Sequence, residues 1–339
     1  MTTTLSEFDY HLPPERIAQI PVTPRDASRL LVMSRAAGDL TDTHFNQIGN
    51  FLQPGDLLVV NQTRVIPARL YARKQDSGGK VEILLLNRRA PATWEALVGG
   101  KGMHAGRRFV LENDLQGEVI EELPGPRRIV RFEKPLAGYL EQIGKMPLPP
   151  YIHERLEEAE RYQTVYAQDK GSAAAPTAGL HFTPQLLNSL QEKGIGLAKV
   201  TLHVGLDTFA PVTEENVSEH EIHSEWRRLS PQAADQINKV KENGGRVIAV
   251  GTTSVRTLES AAAGGGRVAA VEGPTQLFIL PGYQYKIVDA MITNFHLPKS
   301  TLLMLVSAFA GRERVLAAYQ AAIRRGYRFY SFGDAMLII

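Results

Sequence analysis

The sequence predicts an α/β protein, a mixed sheet covered by helices, with a small all-β barrel inserted into it. Three observations predict this. From Pro184 onward, short apolar runs alternate with amphipathic helical stretches, the pattern of strands joined through helices. Leu57-Leu-Val-Val60 is a continuous apolar run between turn residues, which suits a strand buried on both faces. Between these regions, short stretches alternate apolar and polar residues at a spacing of roughly 8–12 residues, as in a small barrel or sandwich. The expected division is an α/β domain of residues 1–65 and 151–339, discontinuous in sequence, around a barrel domain of residues 66–150.

Taken in order, Phe8–Gln19 leads in, with Pro13-Pro-Glu-Arg-Ile-Ala-Gln19 as a single helical turn. Asp26-Ala-Ser-Arg29 precedes a first strand, Leu30–Met33; Ser28 and Arg29 either end a turn, the simpler reading, or face a site. Phe45–Leu52 is a weak helix and Gln53–Asp56 a turn before the Leu57–Val60 strand, which ends in the polar Asn61-Gln-Thr-Arg64. The barrel strands are Arg69–Arg73, Val81–Leu86, Trp94–Val98, Arg108–Leu111, Gly117–Glu121 and Arg128–Phe132, closing in the proline-rich Met146–Pro150. The α/β half then reads as helix Pro184–Lys193, strand Gly196–Val204, helix Pro231–Asn243 and strand Arg246–Val250. It continues with a turn Gly251–Ser254, helix Val255–Ala263, strands Thr275–Leu280 and Val288–Phe295, and a helix from Ser300 or Thr301 through Phe309. Tyr319–Arg325 is helical; Tyr327–Ser331 and Ala335–Ile338 are extended.

Composition narrows the function. At 339 residues, with 43% hydrophobic and 22% charged residues, the chain is ordinary globular material. It has no cysteine, which excludes disulfides, thiolate nucleophiles and cysteine-ligated metals. It has no apolar run approaching the roughly 20 residues of a membrane span and no signal-peptide layout, so a cytoplasmic protein is expected. Residues 66–150 carry fourteen Lys/Arg against ten Asp/Glu, while the whole chain carries a net +2. An excess of this size suits RNA contact or a merely solvated surface.

Gly171–Thr183, reading GSAAAPTAGLHFT, is small and nearly chargeless, with Pro176 between Gly171 and Gly179. Such a stretch lets a ligand or a packed neighbour approach the backbone. The polar residues of the α/β half gather where strands end: Thr252, Thr253, Ser254 and Arg256 after one, Asn294 and His296 after another, His203, Asp207 and Thr208 after a third. Ligands of open α/β sheets sit beyond the carboxyl ends of strands, and a helix start there presents free N–H groups to an anion. Each such turn by itself can be simple capping; several loaded with His, Asn and Arg point to one shared site. Phosphate-loop, dinucleotide and nucleophile-elbow motifs are absent. His220 and His223, three apart, lack an evident third metal ligand, so no metal is expected.

Long strings then carry a resemblance: FDYHLPPERIAQ, RDASRLLV, PGDLLVVNQTRVIPARL, LPPYI, RYQTVYA, GSAAAPTAGLHFT, VTLHVG, GTTSVRTLES, TNFHLPKSTLLMLVSAFAG and FGDAMLI. In their content and order across nearly the whole chain, they resemble the S-adenosylmethionine:tRNA ribosyltransferase-isomerase family of queuosine biosynthesis. Leu206-Asp207 and Phe332 depart from that family's usual residues. The resemblance implies a substrate tRNA with the base preQ1 at its wobble position and S-adenosylmethionine as co-substrate, with no permanently bound cofactor and no metal. Ribosyl transfer and rearrangement would give epoxyqueuosine, adenine and methionine. A monomer is expected.

That chemistry needs a base near the carbon attached to sulfonium, an acid for departing adenine, and donors for a carboxylate. His181, His203 and His296 are the candidate imidazoles, which the residues alone do not rank, and Asp334 is a candidate acid. Arg256 and the N–H groups of Thr252, Thr253 and Ser254 suit the methionine carboxylate. Asn294 suits ribose or base, and Thr177 lies in the flat loop against which a planar base would rest. Arg69, Arg73, Lys101, Arg107 and Arg108 of the barrel are candidates for RNA phosphates. Two alternatives are an RNA-binding clamp without catalysis and a metal-dependent hydrolase built on His220 and His223.

Overall fold

The computed structural model describes residues 3–205, 212–222 and 224–339. It divides into two compact units. One comprises Met1–Arg64, Pro150–Asp169 and Ala175–Ile339; the other comprises Val65–Pro149 with the short return Lys170–Ala174.

The first unit is built on a nine-stranded mixed sheet. In spatial order its strands are Val271–Thr275, Glu225–Leu229, Gly196–Leu202, Leu57–Asn61, Val247–Val250, Ala290–Asn294, Ala335–Ile338, Arg29–Met33 and Leu40–His44. The four strands from Gly196–Leu202 to Ala290–Asn294 run parallel. Ala335–Ile338 is antiparallel to its neighbour Ala290–Asn294 and parallel to Arg29–Met33. The carboxyl ends of four strands and the amino ends of two others therefore meet along one side of the sheet.

The apolar run predicted for Leu57–Val60 is buried along its whole length because both faces are covered. On one face Leu57, Val59, Val247, Ala249 and Met291 pack with Val255, Leu258, Leu303 and Val306 of two helices. On the other, Leu58, Val60, Ile248, Val250 and Ile292 pack with Phe45, Ile48, Phe182 and Leu186. A side chain every second residue on each face is what the strand's period of two supplies.

The second unit is a closed, six-stranded antiparallel barrel: Arg127–Phe132, Thr93–Gly99, Lys80–Ala90, Arg69–Lys74, Arg108–Leu111 and Gln116–Glu122, closing back onto the first. Alternation holds here too: Leu70, Ala72, Val81, Ile83, Phe109, Val119, Val130 and Phe132 fill the interior, and Phe109 meets Phe132 edge to face at 5.8 Å.

Several local expectations change. Phe45–Asn50 is 3-10 rather than α-helical. The strand expected over 275–280 is instead Val271–Thr275, containing Gly273 and Pro274, which an edge strand tolerates. The helix expected from Val255 begins at Thr252, and the last helix runs over Arg312–Arg324, starting well before Tyr319. The polar strand Leu40–His44 lies at a sheet edge, where burial does not demand apolar residues.

Candidate active site

The strand Ala290–Asn294 leads directly to His296, the strand Val247–Val250 to Gly251 and Thr252, and the strand Gly196–Leu202 to Val204. Together with the Ala175–Ala178 loop, Tyr151 and the closing turn Tyr330-Ser331, these exits line a cleft that is open to solvent. Thr177, Thr252, Thr253, Asn294 and His296 all face it.

A chain of hydrogen bonds holds its polar wall. Thr177 Oγ1 donates to Asn294 Oδ1 at 3.0 Å. Asn294 Nδ2 donates to the Tyr330 carbonyl and to His181 Nε2, both at 3.2 Å. With Nε2 accepting, His181 carries its proton on Nδ1 and donates to Ser28 Oγ at 2.8 Å. Ser28 thus does more than end a turn. Tyr330 supplies its carbonyl from a left-handed backbone, φ +69°, an uncommon conformation for a side chain of this bulk.

His181 stands one bond behind Asn294 and lines a smaller neighbouring pocket with Arg25 and Arg161. Burial pulls its pKa down to about 3, and the nearby guanidinium groups of Arg328 and Arg25 add to the shift. His296 bonds Thr293 Oγ1 through Nε2 at 2.7 Å, its N–H donates to the Tyr319 hydroxyl at 3.1 Å, and its carbonyl accepts from the Tyr10 hydroxyl. Burial lowers its pKa to about 3 as well. Both rings are neutral at cellular pH.

Opposite chemistry sits at the helix Thr252–Ser260. Its N-cap is Gly251, at φ +86°, which has no side chain to cap the helix. The first-turn N–H groups of Thr252, Thr253 and Ser254 have no protein acceptor among the described residues, and the buried Thr253 hydroxyl is also unpartnered. Such a helix start favours an anion through free N–H groups and the helix dipole. Ser254 does not add its hydroxyl, which turns back to the Val250 carbonyl at 2.8 Å.

Three candidates lie off the cleft and have other partners. Arg256 is buried and ion-paired with buried Glu225, and its Nε donates to the Leu277 carbonyl at 3.1 Å. It is not among the residues lining the cleft, so its charge is already matched. Asp334 is 2% exposed, and its carboxylate accepts from the backbone N–H groups of Arg29 at 3.0 Å and Arg328 at 2.8 Å. It ties the closing turn to the first strand and does not line the cleft. His203 lines neither pocket. It stacks on Trp226 at 5.1 Å and bonds Thr63 Oγ1 at 2.8 Å, and burial lowers its pKa against the opposing pull of Asp169.

In the barrel, Arg69 pairs with Glu82 at 2.7 Å and Arg107 with Asp76, whereas Arg108 lies 3.9 Å from Glu118. Arg73 and Lys101 are exposed, with no carboxylate partner among the described residues. Asp207, Thr208 and His223 lie outside the described residues. Among the described residues no group of three or more His, Cys, Asp or Glu could hold a metal, and His220 is bonded to Glu214 at 2.8 Å.

Sequence reasoning missed Tyr151, Thr293, Tyr330 and Ser331 in the cleft wall. Tyr151 Oη and Ser331 Oγ meet at 2.7 Å; 180 positions separate them, and no local pattern links them. Thr293 could have been found, since it adjoins Asn294 at the same strand end.

Fold and site together define an α/β protein with an open, partly polar cleft beyond the carboxyl ends of its parallel strands, the usual place for a ligand in such sheets, accompanied by a closed β-barrel. The chain belongs to the queuosine biosynthesis protein family, whose model matches residues 5–338. It is 56% identical, over 99% of both chains, to the S-adenosylmethionine:tRNA ribosyltransferase-isomerase of Desulfitobacterium hafniense. It is 55% identical, over 99% of both, to that of Moorella thermoacetica. A crystal structure of an S-adenosylmethionine tRNA ribosyltransferase from Thermotoga maritima is similar with a TM-score of 0.58 at 41% identity, covering 98% of this chain and 100% of that one.

Proposed function

We infer that this chain transfers the ribosyl moiety of S-adenosylmethionine to preQ1 at the wobble position of tRNA and isomerises it, giving epoxyqueuosine-tRNA, adenine and methionine. The relatives' shared activity supports the reaction. The observation that carries the site is the pairing, across one cleft, of an unpartnered helix start with a neutral imidazole and a fixed asparagine.

The methionine carboxylate takes the N–H groups of Thr252–Ser254 and the Thr253 hydroxyl, whose lack of a partner is a cost that this ligand removes. Asn294 and Thr177 meet the ribose or the base. The small wall of Ala175, Pro176 and Ala178 lets a planar ring lie against backbone. We assign to His296, which lines the cleft, the uptake of the proton made acidic by the sulfonium; His181 acts behind it by holding Asn294. Departing adenine needs a proton that Asp334 is not placed to give. Tyr151, kept protonated by burial and bonded to Ser331, is a protonated group on the cleft wall.

The deciding experiment incubates the protein with preQ1-containing tRNA and S-adenosylmethionine and separates the products by chromatography. Adenine and methionine should appear in equal amounts with the modified tRNA only. His296→Asn should lower the rate by about 10²–10⁴-fold, the usual weight of a positioned proton-transfer group, while leaving binding of S-adenosylmethionine intact. Absence of adenine release by the unaltered protein would overturn the reading.

A further inference from the structure

Next to the cleft, sharing Ser331 with it, is a second, smaller and partly open pocket, and its wall is cationic. Arg25 and Arg161 line it beside the neutral His181, and among the described residues no carboxylate does. Neither arginine is held by an ion pair among the described residues. Arg25 donates to the carbonyls of Gln163 and Glu160, at 2.6 and 2.7 Å, and Arg161 to that of Val22 at 2.5 Å. A carbonyl orients a guanidinium without cancelling its charge. The Glu160 carboxylate, which favours the Arg25 charge, has a side chain 68% exposed and is bonded to Arg64. Burial and the Arg161 charge both act against the Arg25 cation. Two like charges aimed at one small cavity are an unfavourable arrangement that an anion would relieve.

We propose that this pocket binds a phosphodiester group of the substrate RNA next to the modified nucleotide, with Arg25 and Arg161 as its ligands. The proposal rests on the tRNA-modifying reading above. A loop base becomes reachable only when it is splayed from its neighbours, and contacts to its flanking phosphates fix its register. The His181–Asn294 bond and Ser331 join the two pockets. A phosphate held in the smaller one would lie beside the larger, where its nucleotide has to react. The planar forked guanidinium suits phosphate oxygens. The other anion of the reaction, the methionine carboxylate, already has the helix start at Thr252.

The test uses a fluorescent preQ1-bearing anticodon stem–loop titrated with full-length protein over a salt series, without S-adenosylmethionine. Arg25→Gln and Arg161→Gln, which remove charge and keep an amide donor for the carbonyls, are compared with the unaltered protein. Each should weaken RNA binding roughly ten-fold, as loss of a charge-assisted bond does. Each should also lower the slope of log affinity against log salt by about 1. In the adenine-release assay the KM for tRNA should rise while that for S-adenosylmethionine stays constant. An unchanged salt slope overturns the proposal. So does a rise confined to the KM for S-adenosylmethionine, which would put the carboxylate in this pocket. Should Arg25→Gln fail to fold, Arg161→Gln decides alone, because its guanidinium has a single carbonyl contact. RNA binding by the unaltered protein without adenine release would count against the reaction and leave the phosphate measurement readable.

Discussion

His181 and His296 show how far a residue type underdetermines its role. Three histidines at strand or loop ends were visible in the sequence. Only the fold shows that His296 faces the cleft, that His181 is bridged to it through Asn294, and that His203 stacks on Trp226. Burial holds the first two at a pKa of about 3, against an ordinary value near 6.5. Between those values the unfolded chain binds protons that the folded rings refuse. Their effect is therefore absent above pH 6.5, and stability falls as pH drops through the window, by about 1.4 kcal/mol per pH unit for each ring. Urea midpoints measured at pH 7, 6 and 5 should decline steadily, and His181→Asn should make the decline shallower. A pH-independent midpoint in the unaltered protein would show that the rings are not shielded as described. Arg256 and Asp334 read as site residues because their partners are distant in sequence: Glu225, and the backbone N–H groups of Arg29 and Arg328.

Among elements, the helix beginning at Thr252 matters most. Its side chains were legible as a strand-to-helix corner, but they were expected as a turn before the helix. They are its first turn, and this is what leaves three N–H groups without an acceptor among the described residues. Thr253→Val separates stability from function here. Removing a buried hydroxyl that has no partner should stabilise the unliganded protein by about 1 kcal/mol. The same change should raise the KM for S-adenosylmethionine, read by adenine release against thermal unfolding. A variant that loses stability would mean that the hydroxyl is already satisfied. The flat loop opposite was legible as a close approach, though not what approaches. At Gly179 a Cβ would stand 2.1 Å from the Tyr166 hydroxyl, so a packed neighbour rather than a ligand occupies that side. Buried strands such as Leu57–Asn61 announce themselves by composition. Glu225–Leu229 and Leu40–His44 are polar, and only their partners make them strands.

For the whole molecule, the two units were readable from a change in periodicity, because a barrel's alternation and an α/β half's buried runs obey different burial rules. The return of Lys170–Ala174 to the barrel unit was not readable; it splits the small-residue stretch between the two. The five basic barrel residues named as RNA candidates do not present equal charge. Arg69 and Arg107 are matched by carboxylates, while Arg73, Lys101 and Arg108 stand in solvent. Neutralising the latter three should reduce the salt slope of tRNA binding by about 2–3, whereas Arg69→Gln and Arg107→Gln should change it less. An unaltered slope in the triple variant would remove the barrel from the RNA interface.

The margins of the nine-stranded sheet bear on self-association. One outer strand contains Gly273 and Pro274, and proline has no N–H to offer a newcomer. At the other margin, Asp42 is clasped by Arg29 at 3.2 Å and by Arg325 at 2.5 Å, which sets charge along a strand that already alternates threonine with polar residues. Neither rim presents a flat, greasy ladder onto which a second copy could zip, so edge-to-edge pairing of folded copies is disfavoured.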